Sequence, residues 1–160
     1  MHATAHALGA GRADEEHGPP APQFLIAVED TAGGRHTLRS GLAQAAAQDA
    51  DVTVLHVVAP RQWRVGRFGP PRAIALRIRD PLESAMLREA RRVAFDYGIC
   101  PRLELVAADD PRGVILDMAR RVGAATIVLG ARRPDSLVAT RDVCQGVLRQ
   151  TAVPVFVVPG

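Results

Sequence analysis

The sequence predicts an α/β protein: a doubly wound, five-stranded parallel sheet with four helices. Three observations predict it. Short apolar, β-branched runs such as "VTVLHVV" at 52–58 mark strands covered on both faces. Segments with apolar residues at helical spacing separate these runs. Strand and helix alternate along the chain, and such alternation requires right-handed βαβ crossovers around one sheet.

The elements follow in order. Residues 1–22 are rich in Gly, Ala, Pro and His without a period, and are expected to be a disordered tail. His2, His6 and His17 lie there without the cysteine or carboxylate pattern of a metal site. The domain spans 23–160. "FLIAV" at 24–28 is the first strand, and Thr31 with its turn glycines opens the first helix. Leu38, Leu42 and Ala45 or Ala46 form that helix's inner stripe. After the second strand comes a basic stretch, 59–79, carrying Arg61, Arg64, Arg67, Arg72, Arg77 and Arg79 with Trp63 and Phe68 interleaved. Its Gly-Pro-Pro turn marks a variable loop. Basic residues interleaved with aromatics also suit single-stranded nucleic acid or an anionic surface, which stands as the alternative.

"DPLESAMLREARRVAFDYG" is a helix, with Asp80 as N-cap, Pro81 in first position and Glu83 completing a capping box. Leu82, Met86, Ala90, Val93 and Tyr97 form its inner stripe, and Gly98 ends it. "RLELVAA" at 102–108 is the third strand. Asp110 and Pro111 open a third helix whose stripe is Val114, Ile115, Met118, Ala119 and Val122, stopped by Gly123. "TIVLG" at 126–130 is the fourth strand. A last helix covers about 139–150, and "VPVFVV" at 153–158 is the fifth strand.

With 160 residues and 48% apolar content, the chain makes one domain with a real core. A net charge of +3 does not by itself imply a nucleic-acid partner. Every basic side chain is arginine, as a GC-rich coding sequence produces. Cys100 and Cys144 form no CxxC and are expected as buried structural thiols. The first residues lack a basic then apolar leader, and no apolar run reaches membrane-spanning length, so a cytoplasmic protein is expected. Ser40, Ser84 and Ser136 lack a nucleophile elbow or a nearby base. His56, within the second strand, is expected as a packed or singly hydrogen-bonded residue. No catalytic constellation emerges, and the chain is not expected to be an enzyme. Ligands of such sheets bind beyond the carboxyl ends of the strands where strand order reverses, which points to the loops after the first and fourth strands.

"FLIAVEDT", "LHVV" at 55–58, "DDPRGVILDMARRVGAATIVLGAR" and "VLRQTAVPVFVV" together resemble the universal stress protein family in order and spacing. The resemblance covers about 23–159. It implies a Rossmann-like sheet in the order 3-2-1-4-5, with the site between the first and fourth strands. It implies ligand positions at Ala27, Val28, Glu29, Asp30, Val58, Leu129 and Gly130, with His36 near the start of the first helix as a further candidate. It also implies a homodimer through the fifth strand, where Val155, Phe156 and Val157 would otherwise form an exposed apolar edge.

Many family members bind ATP through G-x-x-G, nine residues, then Gly-Ser or Gly-Thr. Here Gly130 is kept, but Arg133 stands at the second glycine. The closing pair is Val143-Cys144, or Arg141-Asp142 when aligned back from the last strand. Glycines let backbone amides approach phosphate, whereas an arginine fills that space and Asp142 repels an anion at a helix start. No ATP cofactor is therefore expected, and the chain is expected to act through partners or a small anionic ligand. The alternative is that Arg132, Arg133 and Arg141 grip AMP, a cyclic nucleotide or another anionic metabolite with their guanidinium forks.

Overall fold

The computed structural model describes residues 20–60, 76–131 and 141–160. His2, His6 and His17, Arg61, Arg64, Arg67 and Arg72 with Trp63 and Phe68, and Arg132, Arg133 and Ser136 lie outside the described residues. The elements run β1 (Gln23–Val28), α1 (Ala32–Ala46), β2 (Asp51–Val58), β3 (Leu76–Arg77), α2 (Ala85–Asp96), β4 (Arg102–Ala107), α3 (Pro111–Val122), β5 (Thr126–Gly130), α4 (Arg141–Gln150) and β6 (Val155–Val158).

Five parallel strands stand in the order β4-β2-β1-β5-β6. This is the expected 3-2-1-4-5 arrangement. One element was not anticipated: β3 pairs antiparallel with β4 and extends that edge by two residues. A strand so short, within an arginine-rich stretch, leaves no period to read.

The chain builds outward from β1 to β2 and β4, then crosses back to β5 and β6. Right-handed crossovers therefore put α1 and α2 on one face and α3 and α4 on the other. Strand side chains alternate accordingly. Phe24, Ile26, Val52 and Val54 pack with Leu38 and Leu42 of α1 and Met86 and Ala90 of α2. Leu25, Leu55, Ile127 and Leu129 pack with Ile115 and Met118 of α3 and Val147 of α4.

Local signals explain the helix ends. Thr31 caps α1 by accepting from the Gly34 amide at 3.0 Å. Gly123 stops α3 in the left-handed conformation, φ 63°. The expected Asp80 to Glu83 capping box is corrected. Asp80 caps a separate 3-10 turn, Pro81–Glu83, through the Leu82 amide at 2.9 Å. Ser84 is extended and caps α2 itself, accepting from the Leu87 amide at 3.2 Å. Tyr97 leaves the expected inner stripe, because the helix ends there and the ring is 37% exposed.

Two buried polar groups fix the sheet's outer half. Glu104 of β4 is paired with Arg77 of β3 and with Arg102. Burial raises its pKa, but the two guanidinium groups outweigh that and hold it below the usual carboxylate range. His56 of β2 is buried, with Nδ1 2.8 Å from the Ser84 hydroxyl. No base stands near Ser84 along the chain; strand β2 supplies one across the packed interface. This pair is structural. The same hydroxyl caps α2, and neither residue lines the cleft described below.

Burial pushes the His56 imidazole below the ordinary histidine value, and the carboxylates of Asp30 and Glu29 offset this only in part. The folded pKa thus lies below the unfolded one. Stability from the neutral ring is complete above about pH 6.5 and is lost as pH falls below that value. Denaturant melts should show this fall between about pH 6.5 and 5, before carboxylates titrate. In His56→Gln the fall should vanish, with about 1 kcal/mol lost at neutral pH. An unchanged pH dependence in that variant contradicts the assignment.

Candidate functional site: a cleft at the strand-order switch point

The chain leaves β1 toward one side of the sheet and leaves β5 toward the other. Their carboxyl ends therefore diverge, and a cleft of about 810 Å³ opens between them. Its floor is Ala27, Leu55, Val57 and Leu129, all on the α3/α4 face. Pro111 and Ile115 of α3 form one wall, and Val143, Cys144 and Gln145 of α4 another. The rim is Glu29, the first turn of α1 and Gly130.

The rim depends on close backbone approach. A Cβ on Gly34 would overlap the Glu29 carbonyl, so only glycine lets α1 start this near the end of β1. A Cβ on Gly130 would come within 2.5 Å of Thr37 Oγ1. That hydroxyl is anchored on the Gly33 carbonyl at 3.0 Å. The amino end of α1, with amides of Ala32 and Gly33, is thus held beside the cleft, where a helix start favours negative charge. No acidic residue occupies the first turn of α1.

Of the positions expected from the sequence, Ala27, Val28, Glu29, His36, Leu129 and Gly130 come together around this cleft. Asp30 does not: it is exposed and paired with Arg35 at 2.9 Å, whose Nε also binds Glu89. Val58 does not either. It alternates onto the α1/α2 face and packs in that core, so Val57 is the cleft residue. Arg141 and Asp142 open α4, at the end of the helix that borders the cleft. Their side chains lie outside the described residues, as do Arg132 and Arg133.

The sequence reading missed Val57, Gly33, Gly34, Thr37 and the walls from α3 and α4. Strict alternation along 52–58 would have selected Val57. Val143 and Cys144 stand at one reading of the motif's closing pair, but Pro111, Ile115 and Gln145 carry no local signal, since only helix packing over the sheet brings them there.

Burial pushes the Cys144 thiol up, so it stays protonated near neutral pH and is a poor nucleophile. Cys100, expected to be buried, is exposed at the chain's return into β4, and both cysteines are free. Among the described residues no cluster of His, Cys, Asp or Glu could hold a metal ion. Among them, too, no helix is long and apolar enough to cross a membrane.

Comparison with known proteins agrees with this architecture. Residues 22–159 match the model of the universal stress protein family. No curated protein matches the chain. Among solved structures, a universal stress protein in complex with cAMP is similar at TM-score 0.62 and 18% identity, over 87% of this chain and 97% of that one. A universal stress protein family member from Burkholderia pseudomallei is similar at 0.55 and 25% identity, over 86% and 96%. One from Archaeoglobus fulgidus in complex with dAMP is similar at 0.59 and 20% identity, over 86% and 97%. With five parallel strands in this order and a match across nearly the whole domain, the chain belongs to the universal stress protein family.

Proposed function

We propose that this chain is a stress-response binding protein whose cleft takes a small anionic ligand of nucleoside monophosphate size, without turnover and without ATP as its cofactor. The observation that carries the proposal is the cleft itself. A volume of about 810 Å³ falls in the range of small-molecule sites. Its apolar floor suits a planar base, and Glu29 lines the rim, the position at which this reading puts the ribose. The amino end of α1 supplies partial positive charge for a single phosphate. The cAMP and dAMP complexes among its fold relatives support this ligand class. Against ATP stands the loop sequence, where Arg133 and Arg141-Asp142 replace the glycines and small hydroxyl residue of a triphosphate cradle.

A thermal-shift panel of AMP, cAMP, ATP and polyphosphate tests it. A ligand at 100 times its Kd stabilises by about 2.7 kcal/mol, a shift of roughly 5–10 °C for a domain of this size. AMP or cAMP should produce such a shift, ATP no larger one, and the nucleotide should be recovered unhydrolysed. No shift with any nucleotide removes the ligand, and a much larger shift with ATP removes the exclusion of triphosphate.

The same reading includes a cytoplasmic homodimer formed through β6. This strand lies at the sheet edge opposite β3, with Phe156 38% exposed. Pairing two copies of Val155, Phe156 and Val157 across a two-fold axis would cover that edge. Phe156→Glu would then place like charges near one another at the interface. The parent should sediment at twice the chain mass of 17.1 kDa and the variant at the chain mass. A parent that sediments as a monomer at micromolar concentration contradicts the dimer.

A further inference from the structure

Helix α2 carries an outward stripe that the cleft and the sheet edges do not use. Met86, Leu87, Ala90, Val93 and Ala94 face the sheet and are buried. On the opposite side, Arg88, Arg91, Arg92 and Phe95 recur at spacings of three and four, so they share one exposed face. Phe95 is 82% exposed, the most exposed large apolar side chain among the described residues. Arg88 also donates through Nη1 to the carbonyls of Leu82 and Glu83, which ties its guanidinium to the preceding turn.

Among the described residues, no carboxylate neutralises the charge on this face. None of Arg88, Arg91 and Arg92 forms an ion pair among the described residues. Glu89, on the helix's flank, is already held by Arg35 at 2.8 Å. Asp96 lies one position round the helix from Phe95 and is the one carboxylate bordering the stripe's end. The helix runs from the carboxyl ends of the strands back to the start of β4. Phe95 therefore sits at the end of the molecule away from the cleft, and a partner there would leave the cleft open.

We infer that this face of α2 docks an acidic protein segment, with Phe95 as the apolar anchor and the three arginines meeting carboxylates spaced along a helix. Charge complementarity decides the chemistry of the occupant. An exposed aromatic flanked by arginines has the composition of an interface hot spot. A convex helix with a single ring offers neither a groove for a nucleic-acid backbone nor a platform for successive bases. Carboxylates at i and i+4 on a partner helix match the repeat of the arginines.

The test uses a fluorescein-labelled amphipathic peptide with glutamates at i and i+4 flanking a leucine. Its glutamine analogue, an oligothymidine and phosphatidylserine vesicles serve as comparators. The full chain should bind the acidic peptide at least about tenfold more tightly than the glutamine analogue, and binding should weaken with salt. Phe95→Ser and the double variant Arg91→Glu/Arg92→Glu should each lose about tenfold, with unchanged unfolding temperatures because these side chains are exposed. AMP-induced thermal shifts should be the same in parent and variants, which separates this surface from the cleft. Equal binding of the two peptides overturns the inference, as does parent-like binding by both variants. Binding of oligothymidine or vesicles to this face without the peptide overturns it as well.

Discussion

Helix α1 lies this close to β1 and β5 because glycines stand at the points of nearest approach. Gly34 passes the Glu29 carbonyl where any side chain would collide with backbone. About two turns on, Gly41 sits over the sheet where a Cβ would come within 2.9 Å of Ile26 Cδ1 and 3.1 Å of Val128 Cγ1. Gly130, at the end of β5, meets Thr37 of the same helix. These three contacts bind the first βα unit to the fourth parallel strand. They fix where the two central strands end relative to the start of α1.

The cleft follows from that placement. With α1 pressed onto one face, the volume at the switch point opens on the other, under α3 and α4. The period of two in the strands then decides which side chains face it. Ala27, Leu55, Val57 and Leu129 turn toward the cleft, whereas Val28 sits at its edge and His56 and Val58 turn toward α1 and α2. The histidine in the second strand is thus part of the packing that holds α2, through Ser84, and not of the ligand surface. Glu104 does the corresponding work at the outer edge, tying β3 to β4 through Arg77.

Most of the fold was legible because its signals are local. Continuous β-branched runs, Thr31, Pro111, Gly98 and Gly123 mark strands and helix ends by chemistry that acts within a few residues. What escaped depends on contacts across the chain. β3 forms because Glu104 draws Arg77 to the edge of β4, a pairing across 27 residues. Ser84, not Asp80, starts α2 because its hydroxyl also meets His56. The site was legible as a place, through Gly130 and the reversal of strand order. Its lining was half legible, since the walls from α3 and α4 exist only once those helices cover the sheet. The glycine motif argued against a triphosphate, but it pointed at the fourth strand and drew attention away from Gly33 and Gly34 on the first helix.

The central claim is that the space between the ends of β1 and β5 holds a mononucleotide-sized anion against the start of α1. Mapping backbone amide shifts during titration with AMP tests it most directly. Saturable changes should cluster at Ala27–Gly34, at Leu129–Ala131 and around Ile115, with the Ala32 and Gly33 amides among the largest. Changes confined to β6 or α2, or none at millimolar AMP, would contradict it.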